Sequence, residues 1–260
     1  MIKIMVGIQK GGVGKSTTTS IVAEILAQAG YRVLVVDLDS QGNSTQMLTQ
    51  RNIYEFTGKT VFEAMKERNP NPYVYEIKEN LSIIPAEDML STFSHWVYVN
   101  ERTAAPAEVL GETLGNLKQD FDFVLMDCPP NLGDLVTNAL RCADYILIPM
   151  QLESFSMDAL DRFVSFIRAT QNKGYTQAEI LGLVYTMVNA RIGIQKAIGD
   201  AVRIMHKDLV FDSQIRLRAK IKDYALLGVQ MERKSDLMAL EDYIQLTEEL
   251  ITRVKNKQNQ

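Results

Sequence analysis

Ten residues near the start of the sequence have the types and spacing that phosphate binding requires: Gln9-Lys10-Gly11-Gly12-Val13-Gly14-Lys15-Ser16-Thr17-Thr18. Glycines let backbone N–H groups close around phosphate oxygens, and the N-terminus of a following helix favours the same anion. In such a loop the lysine neutralises the terminal phosphates and the serine hydroxyl holds Mg²⁺. The stretch therefore predicts a nucleotide phosphate-binding loop, in which Lys15 and Ser16 have these two roles.

The flanking segments have the patterns of the elements that would position this loop. An apolar run, Ile2 to Ile8, precedes the loop and is typical of a buried strand. After the loop, apolar residues fall on one face of a helix: Ile21, Val22, Ile25, Leu26 and Ala29. A surface turn that carries two lysines is the alternative, and the predicted strand and helix disfavour it.

The spacing departs from the usual G-x-x-x-x-G-K-[ST] loop. Gln9 stands where the first glycine would be, and a second lysine, Lys10, precedes Lys15 by five positions. This K-G-G-x-G-K-[ST] pattern is the deviant form of the Walker A motif, and it resembles the ParA/MinD family of ATPases. The resemblance implies a P-loop NTPase fold, ATP and Mg²⁺ as ligands, and one ATPase domain over residues 1–260.

Two carboxylates follow the next apolar run, which spans residues 32–37 and fits a parallel strand buried on both faces. Ligands of open α/β sheets bind at the carboxyl ends of such strands. Asp37 and Asp39 begin a D-L-D-S-Q-G-N segment that is similar to switch I of the family, although Ser40 replaces the proline of many relatives. The resemblance assigns Asp39 to the attacking water and Asp37 to a supporting place near the metal. A helix cap in a turn is the alternative for Asp37.

A third carboxylate ends another apolar run, Phe121 to Asp127, which Cys128-Pro129-Pro130 breaks. A hydrophobic strand that ends in aspartate is the Walker B arrangement, in which the carboxylate holds Mg²⁺ directly or through water. The D-x-P-P tetrad resembles switch II of the family. A plain strand terminator is the alternative for Asp127, and the order of the three motifs along the chain disfavours that interpretation.

The resemblance implies a full set of nucleotide contacts. Lys15 would neutralise the β- and γ-phosphate oxygens, and Thr17 would contact the α-phosphate. Ser16 and Asp127 would hold Mg²⁺. By resemblance, the nucleotide-binding residues are Lys10, Gly11, Gly12, Val13, Gly14, Lys15, Ser16, Thr17 and Asn189.

Recognition of the adenine has the weakest signal in this set. By resemblance, Asn189 would lie beside the base at the end of the last apolar strand. Relatives often carry a P-R-N element further along, which closes over the base. This chain has Arg216-Leu217-Arg218 in that region, so the resemblance assigns no residue to that closing contact.

The wider pattern is that of a doubly wound α/β fold. Short apolar runs alternate with amphipathic stretches along the remaining chain: 81–85, 108–119, 144–149, 156–171 and 180–188. Such alternation predicts a mainly parallel sheet flanked by helices, with right-handed crossovers. The length of 260 residues suits a single domain. A C-terminal helix is expected through Val254, and the polar tail 255–260 is expected to be disordered.

The basic residues are unevenly placed. The net charge is −4, whereas residues 189–224 hold eight Lys/Arg and four Asp, a local charge of +4. If residues 216–222 are extended, their four cations share one face about 6.6 Å apart, close to twice the ~3.4 Å phosphate spacing of one DNA strand. A solvated surface is the alternative, but ParA relatives bind DNA without sequence preference, and two positions match theirs, Arg191 and Lys220. The expected DNA-binding residues are Arg191, Arg216, Arg218, Lys220 and Lys222.

Lys10 would act on a second copy of the chain. By resemblance, ATP joins two chains face to face, and each Lys10 reaches the partner's ATP as an arginine finger does. The catalytic residues implied are thus Lys10, Lys15 and Asp39. The family further implies a cytoplasmic, nucleoid-associated homodimer that holds DNA nonspecifically until a ParB-type centromere-binding protein stimulates hydrolysis. With no helix-turn-helix before the first strand, we expect the small form of the family.

Two other members of the wider family are the alternatives. A MinD-like positioning ATPase would end in a basic amphipathic helix, but 252–260 contains one apolar side chain, Val254. An iron-protein relative of nitrogenase would hold a metal cluster in glycine-rich cysteine loops, and neither Cys128 nor Cys142 lies in one. We therefore expect no metal cluster and no membrane partner. The sequence also lacks an apolar run of the ~18 residues needed to span a membrane and a signal-peptide pattern, so a cytoplasmic location is predicted.

Overall fold

The computed structural model describes residues 1–100, 106–189 and 191–259. The strands in these ranges are β1 (Ile2–Val6), β2 (Val33–Asp37), β3 (Tyr75–Lys78), β4 (Leu81–Ile84), β5 (Phe123–Asp127), β6 (Tyr145–Gln151), β7 (Glu179–Val188) and β8 (Val210–Arg216). The helices are α1 (Lys15–Gln28), α2 (Asn43–Thr49), α3 (Val61–Glu67), α4 (Phe93–Asn100), α5 (Val109–Gly115), α6 (Asp134–Cys142), α7 (Ser156–Asn172), α8 (Gly193–Met205), α9 (Ala219–Leu227) and α10 (Lys234–Gln258). Short 3₁₀ helices lie at Ile53–Phe56, Asn71–Tyr73, Asp88–Thr92 and Lys207–Leu209.

The strands of the described ranges form one sheet in the order β3-β4-β2-β5-β1-β6-β7-β8. Neighbouring strands run parallel except for β3 and β4. Strand β1 lies between β5 and β6, so the phosphate-binding loop leaves from the middle of the sheet. Asp127 at the end of β5 is in register with Val6 on one side and Asp37 on the other. This register brings two of the predicted carboxylates to the loop.

Helices cover both faces of the sheet because its strands are apolar on both faces. Strands β2, β4 and β5 are buried at every residue. One apolar cluster contains side chains from α3, α5 and α7, among them Phe62, Leu110 and Phe163. The other cluster contains side chains from α1 and α10, among them Ile21 and Leu246. The predicted doubly wound, mainly parallel α/β fold is therefore confirmed.

Residues 216–222 are not extended, so the condition for a single cationic face is not met. Strand β8 ends at Arg216, and α9 begins at Ala219. Residues two apart on an α-helix point about 200° apart, so Lys220 and Lys222 do not share a face. The alternation was misleading because the segment buries Tyr224 and packs Ile221 against the same core, at helical spacing.

The prediction of a disordered tail is wrong for residues 255–258, because α10 continues to Gln258. Val254 is buried in the core cluster of α1 and α10, and Lys257 forms an ion pair with Glu179 at the start of β7. Residue 260 lies outside the described residues. Among the described helices, none is both long and apolar enough to cross a membrane.

Candidate nucleotide-binding site

The loop between β1 and α1 has a backbone that favours glycine at two positions. Gly12 has φ +73° and Gly14 has φ +82°, in the left-handed region that side chains other than glycine rarely adopt. Between them Val13 is buried, and its carbonyl accepts a hydrogen bond of 2.8 Å from Thr186 Oγ1 of β7. The loop is thus fixed to the sheet while its glycines leave the backbone accessible. Strand, loop and helix occur in the predicted order.

Lys15 begins α1 and has no ion-pair partner within the described residues. Its side chain lies inside the loop, where Nζ donates a 2.8 Å hydrogen bond to the carbonyl of Lys10. Burial lowers the pKa of Lys15, and the charges of Asp127 and Asp39 offset part of that change. An ammonium group has three donors, so two of them remain available for phosphate oxygens.

Asp37 and Asp127 end neighbouring strands and are both fully buried. Burial raises the pKa of each carboxyl, and the charge of Asp127 raises the pKa of Asp37 further. The hydrogen bond from the hydroxyl of Ser44 acts in the opposite direction on the pKa of Asp127. The end of the sheet at the loop therefore holds two buried carboxyls whose ionised forms are disfavoured, and a bound cation would favour their ionisation.

The oxygens of Asp37 are occupied by protein donors. Its Oδ2 accepts hydrogen bonds of 2.8 Å from both the N–H and the hydroxyl of Thr45, and its Oδ1 accepts one of 3.2 Å from the Asp39 N–H. These contacts tie Asp37 to the first turn of α2. Gly42, just before α2, has φ +59°, and a Cβ there would lie 2.5 Å from Ile53 Cγ2. Asp37 thus accepts hydrogen bonds from the first turn of α2 without being its N-cap residue, which is Gly42, and its place at the metal stays a prediction.

Asp127 has one occupied and one unpaired oxygen. Its Oδ2 accepts a 2.7 Å hydrogen bond from Ser44, whereas its buried Oδ1 has no hydrogen-bond partner among the described residues. An unpaired buried carboxylate oxygen is unfavourable, and Mg²⁺ prefers oxygen ligands and water. Ser16 and Asp127 therefore fit a magnesium ion, with Oδ1 of Asp127 as the oxygen available to it or to its water.

A cavity of about 460 Å³ lies over the loop, within the size range of small-molecule sites. The structure brings several of the predicted residues together in its lining: Gly11, Gly12, Gly14, Lys15, Ser16, Thr17 and Asp39. The remaining lining residues have no predicted role: Gln41, Asn43, Gln46, Met47, Pro130, Met187 and Ala225. The Q-G-N segment was a usable signal for Gln41 and Asn43. No local signal marks Met187 or Ala225, because they come from β7 and α9.

Lys10 points to the junction of β6 and α7 and does not line this cavity. Its Nζ donates a 2.7 Å hydrogen bond to Glu153 Oε2 and one of 2.9 Å to Ser156 Oγ. Next to it, Gln9 Oε1 accepts a hydrogen bond from Arg162 of α7. The two loop lysines therefore have different surroundings, one within the loop and the other on its entry side.

Asn189 is placed apart from the phosphates. Its N–H donates to Gln195 Oε1 at 2.7 Å, its Oδ1 accepts from the Arg191 N–H at 3.1 Å, and it lines a separate cavity of about 200 Å³. Met187, two residues earlier, is the β7 residue that lines the phosphate cavity. Its φ of +53° is unusual for a non-glycine residue, and strained backbone of this kind clusters at ligand sites. The predicted adenine contact of Asn189 stays a prediction.

Three of the five predicted DNA-binding cations form ion pairs with α10. Arg216 Nε donates to Asp242 at 2.9 Å, and this hydrogen bond raises the pKa of Arg216. Arg218 lies 3.4 Å from Glu241, and Lys220 pairs with the buried Asp236. Among the described residues, the other two cations have exposed side chains without ion pairs: Arg191 and Lys222.

The fold and the loop define the class of protein as a P-loop nucleotide-binding protein of the deviant Walker A type. A family model described as an AAA domain matches residues 1–181. The chain is 32% identical over 257 residues to the chromosome partitioning protein ParA of Myxococcus xanthus, covering 96% of this chain and 88% of that protein. It is 31% identical over 224 residues to the sporulation initiation inhibitor protein Soj of Bacillus subtilis, covering 83% of this chain and 84% of that protein. The chain belongs to the ParA/Soj family of ATPases.

Two solved structures are similar over nearly the whole chain. A plasmid partition protein from Borrelia burgdorferi B31 bound to AMPPNP has a TM-score of 0.81 and 26% identity, covering 98% of this chain and 99% of that chain. Cobyrinic acid a,c-diamide synthase from Mycobacterium smegmatis, with a bound ATP analogue and magnesium, has a TM-score of 0.84 and 27% identity, covering 98% of this chain and 96% of that chain. The fold with its nucleotide loop is therefore shared by proteins named for different functions.

Proposed function

We propose that this protein is a magnesium-dependent ATPase that drives DNA partitioning. The observation that carries the proposal is the cavity in which Lys15, Ser16 and Asp39 meet around the glycine loop. The names of its relatives support partitioning, and the ligands of the two similar structures support nucleotide binding. Phosphoryl transfer to water requires mainly positioning and neutralisation of charge, which these residues offer.

Each residue of the cavity has a task in binding ATP. The glycines would present backbone N–H groups to the phosphates, and Thr17, the third residue of this site on α1, would contact the α-phosphate. Lys15 would turn its free donors to the β- and γ-phosphate oxygens. Bound Mg²⁺ would neutralise charge between these oxygens, held by Ser16 and Asp127.

Asp39 would orient the attacking water. Its Oδ1 accepts a 3.1 Å hydrogen bond from the Gln41 N–H, and the side chain is partly exposed to the cavity. The second carboxylate oxygen has no hydrogen bond to the described residues, so it is available to a water molecule. In this proposal Asp39 holds that water in line with the γ-phosphate.

Lys10 acts in trans on the ATP of a second chain in this proposal. In the single chain its Nζ is bound to Glu153 and Ser156. Glu153 is half exposed, and exposed ion pairs contribute ~1 kcal/mol or less, so exchange for a triphosphate is favourable. ATP would thereby join two chains, and hydrolysis would release them, which makes the protein a nucleotide-controlled switch.

The DNA-binding surface would lie around β8 and α9. We assign direct phosphate contacts to Arg191 and Lys222, because neither of these exposed side chains forms an ion pair with a carboxylate of the described residues. Arg216, Arg218 and Lys220 would strengthen the local positive potential while they remain bound to α10. Contacts to phosphates carry no sequence information, so binding would be nonspecific, and a ParB-type partner would stimulate hydrolysis and release.

The experiment is DNA retardation with ATP and Mg²⁺, together with ATP hydrolysis, for wild type and the double variant Arg191→Glu, Lys222→Glu. The matched control is Lys118→Glu, Lys173→Glu, which makes the same charge change on exposed lysines that precede the amino ends of β5 and β7. We expect ATP-dependent retardation in wild type and in the control, and none in the test variant.

Two results would contradict the proposal. Equal retardation by the test variant and wild type would remove the assigned DNA contacts. No ATP hydrolysis by wild type, with or without DNA and Mg²⁺, would remove the ATPase itself.

A further inference from the structure

Ser44 is a buried hydroxyl at the metal side of the cavity that no motif analysis singled out. It lies in the first turn of α2 and is fully buried. Its Oγ donates a 2.7 Å hydrogen bond to Oδ2 of Asp127. The next residue, Thr45, makes the corresponding contact with Asp37. Two adjacent residues of α2 therefore hold the two carboxylates that end β2 and β5.

The surroundings of Ser44 fix the direction of its proton. Ser20 of α1 lies 3.4 Å away and can donate to Ser44 Oγ, and the carbonyl of Ser16 lies at 3.5 Å. A hydroxyl has one proton, and a 2.7 Å bond to a carboxylate is stronger than a contact at the 3.5 Å limit. The proton of Ser44 therefore goes to Asp127, and Ser20 supports it from the other side.

The two carboxylate oxygens of Asp127 therefore have different surroundings. Oδ2 is held by Ser44, whereas Oδ1 is buried and unpaired among the described residues. A carboxylate fixed through one oxygen keeps the direction of the other. Without the Ser44 hydroxyl, Oδ2 would lose this hydrogen bond and the carboxylate of Asp127 could rotate.

We propose that Ser44 is a positioning residue for magnesium: by holding Oδ2 of Asp127, it keeps Oδ1 directed at the ion. The inference rests on the proposed magnesium-dependent ATPase function. Residues that orient a metal ligand through hydrogen bonds typically change metal affinity by 10- to 100-fold when they are removed. The effect must appear in magnesium binding and not in the phosphate contacts of the loop.

The experiment measures the affinity for a fluorescent ADP analogue, with Mg²⁺ and with EDTA, for wild type, Ser44→Ala and Ser44→Thr. In wild type we expect Mg²⁺ to increase the affinity. In Ser44→Ala this increase falls about tenfold, while the affinity in EDTA stays close to that of wild type. Ser44→Thr keeps the hydroxyl and recovers most of the magnesium effect. Thr113→Val, which removes a buried hydroxyl of α5 bonded to Val109, is the control and keeps the wild-type effect.

The outcomes separate the inference from the proposed function. If Mg²⁺ helps wild type and Ser44→Ala equally, the inference is wrong and the proposed function stands. If Mg²⁺ has no effect on wild type, both fall. If Ser44→Ala does not fold, Ser44→Cys replaces it, because a thiol has nearly the same size and donates weakly; the same loss of the magnesium effect is then expected.

Discussion

The two cationic regions of this molecule use the same residue types in opposite ways. In the phosphate loop, Lys15 is buried, has no carboxylate partner among the described residues and has donors available for a ligand. In the β8–α9 region, Arg216 and Lys220 are bound to the buried carboxylates Asp242 and Asp236. A cation without a partner is available for function, whereas a cation on a buried carboxylate holds two elements together. The difference teaches that charge pattern alone does not separate binding residues from structural ones.

Lys10 gives the largest expected effect. If it acts in trans as an arginine finger does, Lys10→Ala lowers ATP hydrolysis roughly a thousandfold and leaves the nucleotide affinity of the single chain close to wild type, since Lys10 does not line the cavity of its own chain. Single-turnover hydrolysis and equilibrium nucleotide binding measure the two quantities. A parallel loss of affinity would show that Lys10 contacts the nucleotide of its own chain.

The second-largest effect is expected for Lys15. This prediction tests the contrast between the two cationic regions. Lys15→Ala should lower hydrolysis roughly 100- to 1,000-fold and also weaken nucleotide binding, because its donors face the phosphates. The stability of the ligand-free protein should stay the same or rise, since a buried ammonium without a carboxylate partner is removed. Steady-state kinetics and urea unfolding test the two parts. A clear loss of ligand-free stability would place Lys15 among the structural cations.

In contrast to Lys15, Arg216 should contribute to the stability of the ligand-free protein. Arg216→Ala removes hydrogen bonds to buried Asp242, and we expect the free energy of unfolding to fall by about 2 kcal/mol. Arg191→Ala, an exposed cation without an ion pair, is the control, with a change within about 0.5 kcal/mol. Urea unfolding at constant ionic strength measures both. Equal stabilities would mean that the ion pairs with α10 contribute nothing measurable.

The free energy of unfolding should depend on pH with opposite signs in the two regions. This effect is expected to be the smallest. Burial raises the pKa of Asp37, so the folded ligand-free protein binds a proton that the unfolded chain has lost, and stability falls as pH rises between the ordinary and the raised pKa. Asp37→Asn should flatten that slope. Although burial opposes them, hydrogen bonds from Arg216 hold the pKa of Asp242 below its ordinary value. The stability from Asp242 is thus present above the ordinary pKa and is lost as pH falls through the lowered one. Unfolding from pH 4 to 8 checks Asp37, and unfolding below pH 4 checks Asp242.

Local patterns predicted the elements well where local chemistry decides the structure. The apolar runs gave β1, β2 and β5, and the helical spacing of apolar residues gave α1 and α7. The alternation of residues 216–222 failed, because contacts of Ile221 and Tyr224 with the distant α1 and α10 cluster impose a helix. Periodicity reports which side chains can be buried together, but packing against distant elements decides which period is used.

Within the site, the sequence determined the residue types and the backbone that they require. Gly12 and Gly14 adopt positive φ, which is a property of the residue itself. The tertiary structure decided every partner. Lys10 meets Glu153, which is 143 positions away, and Ser44 meets Asp127, which is 83 positions away. Hydrogen bonds and ion pairs depend on distances of about 3 Å, and only the register of the sheet and the packing of its helices fix such distances between remote residues.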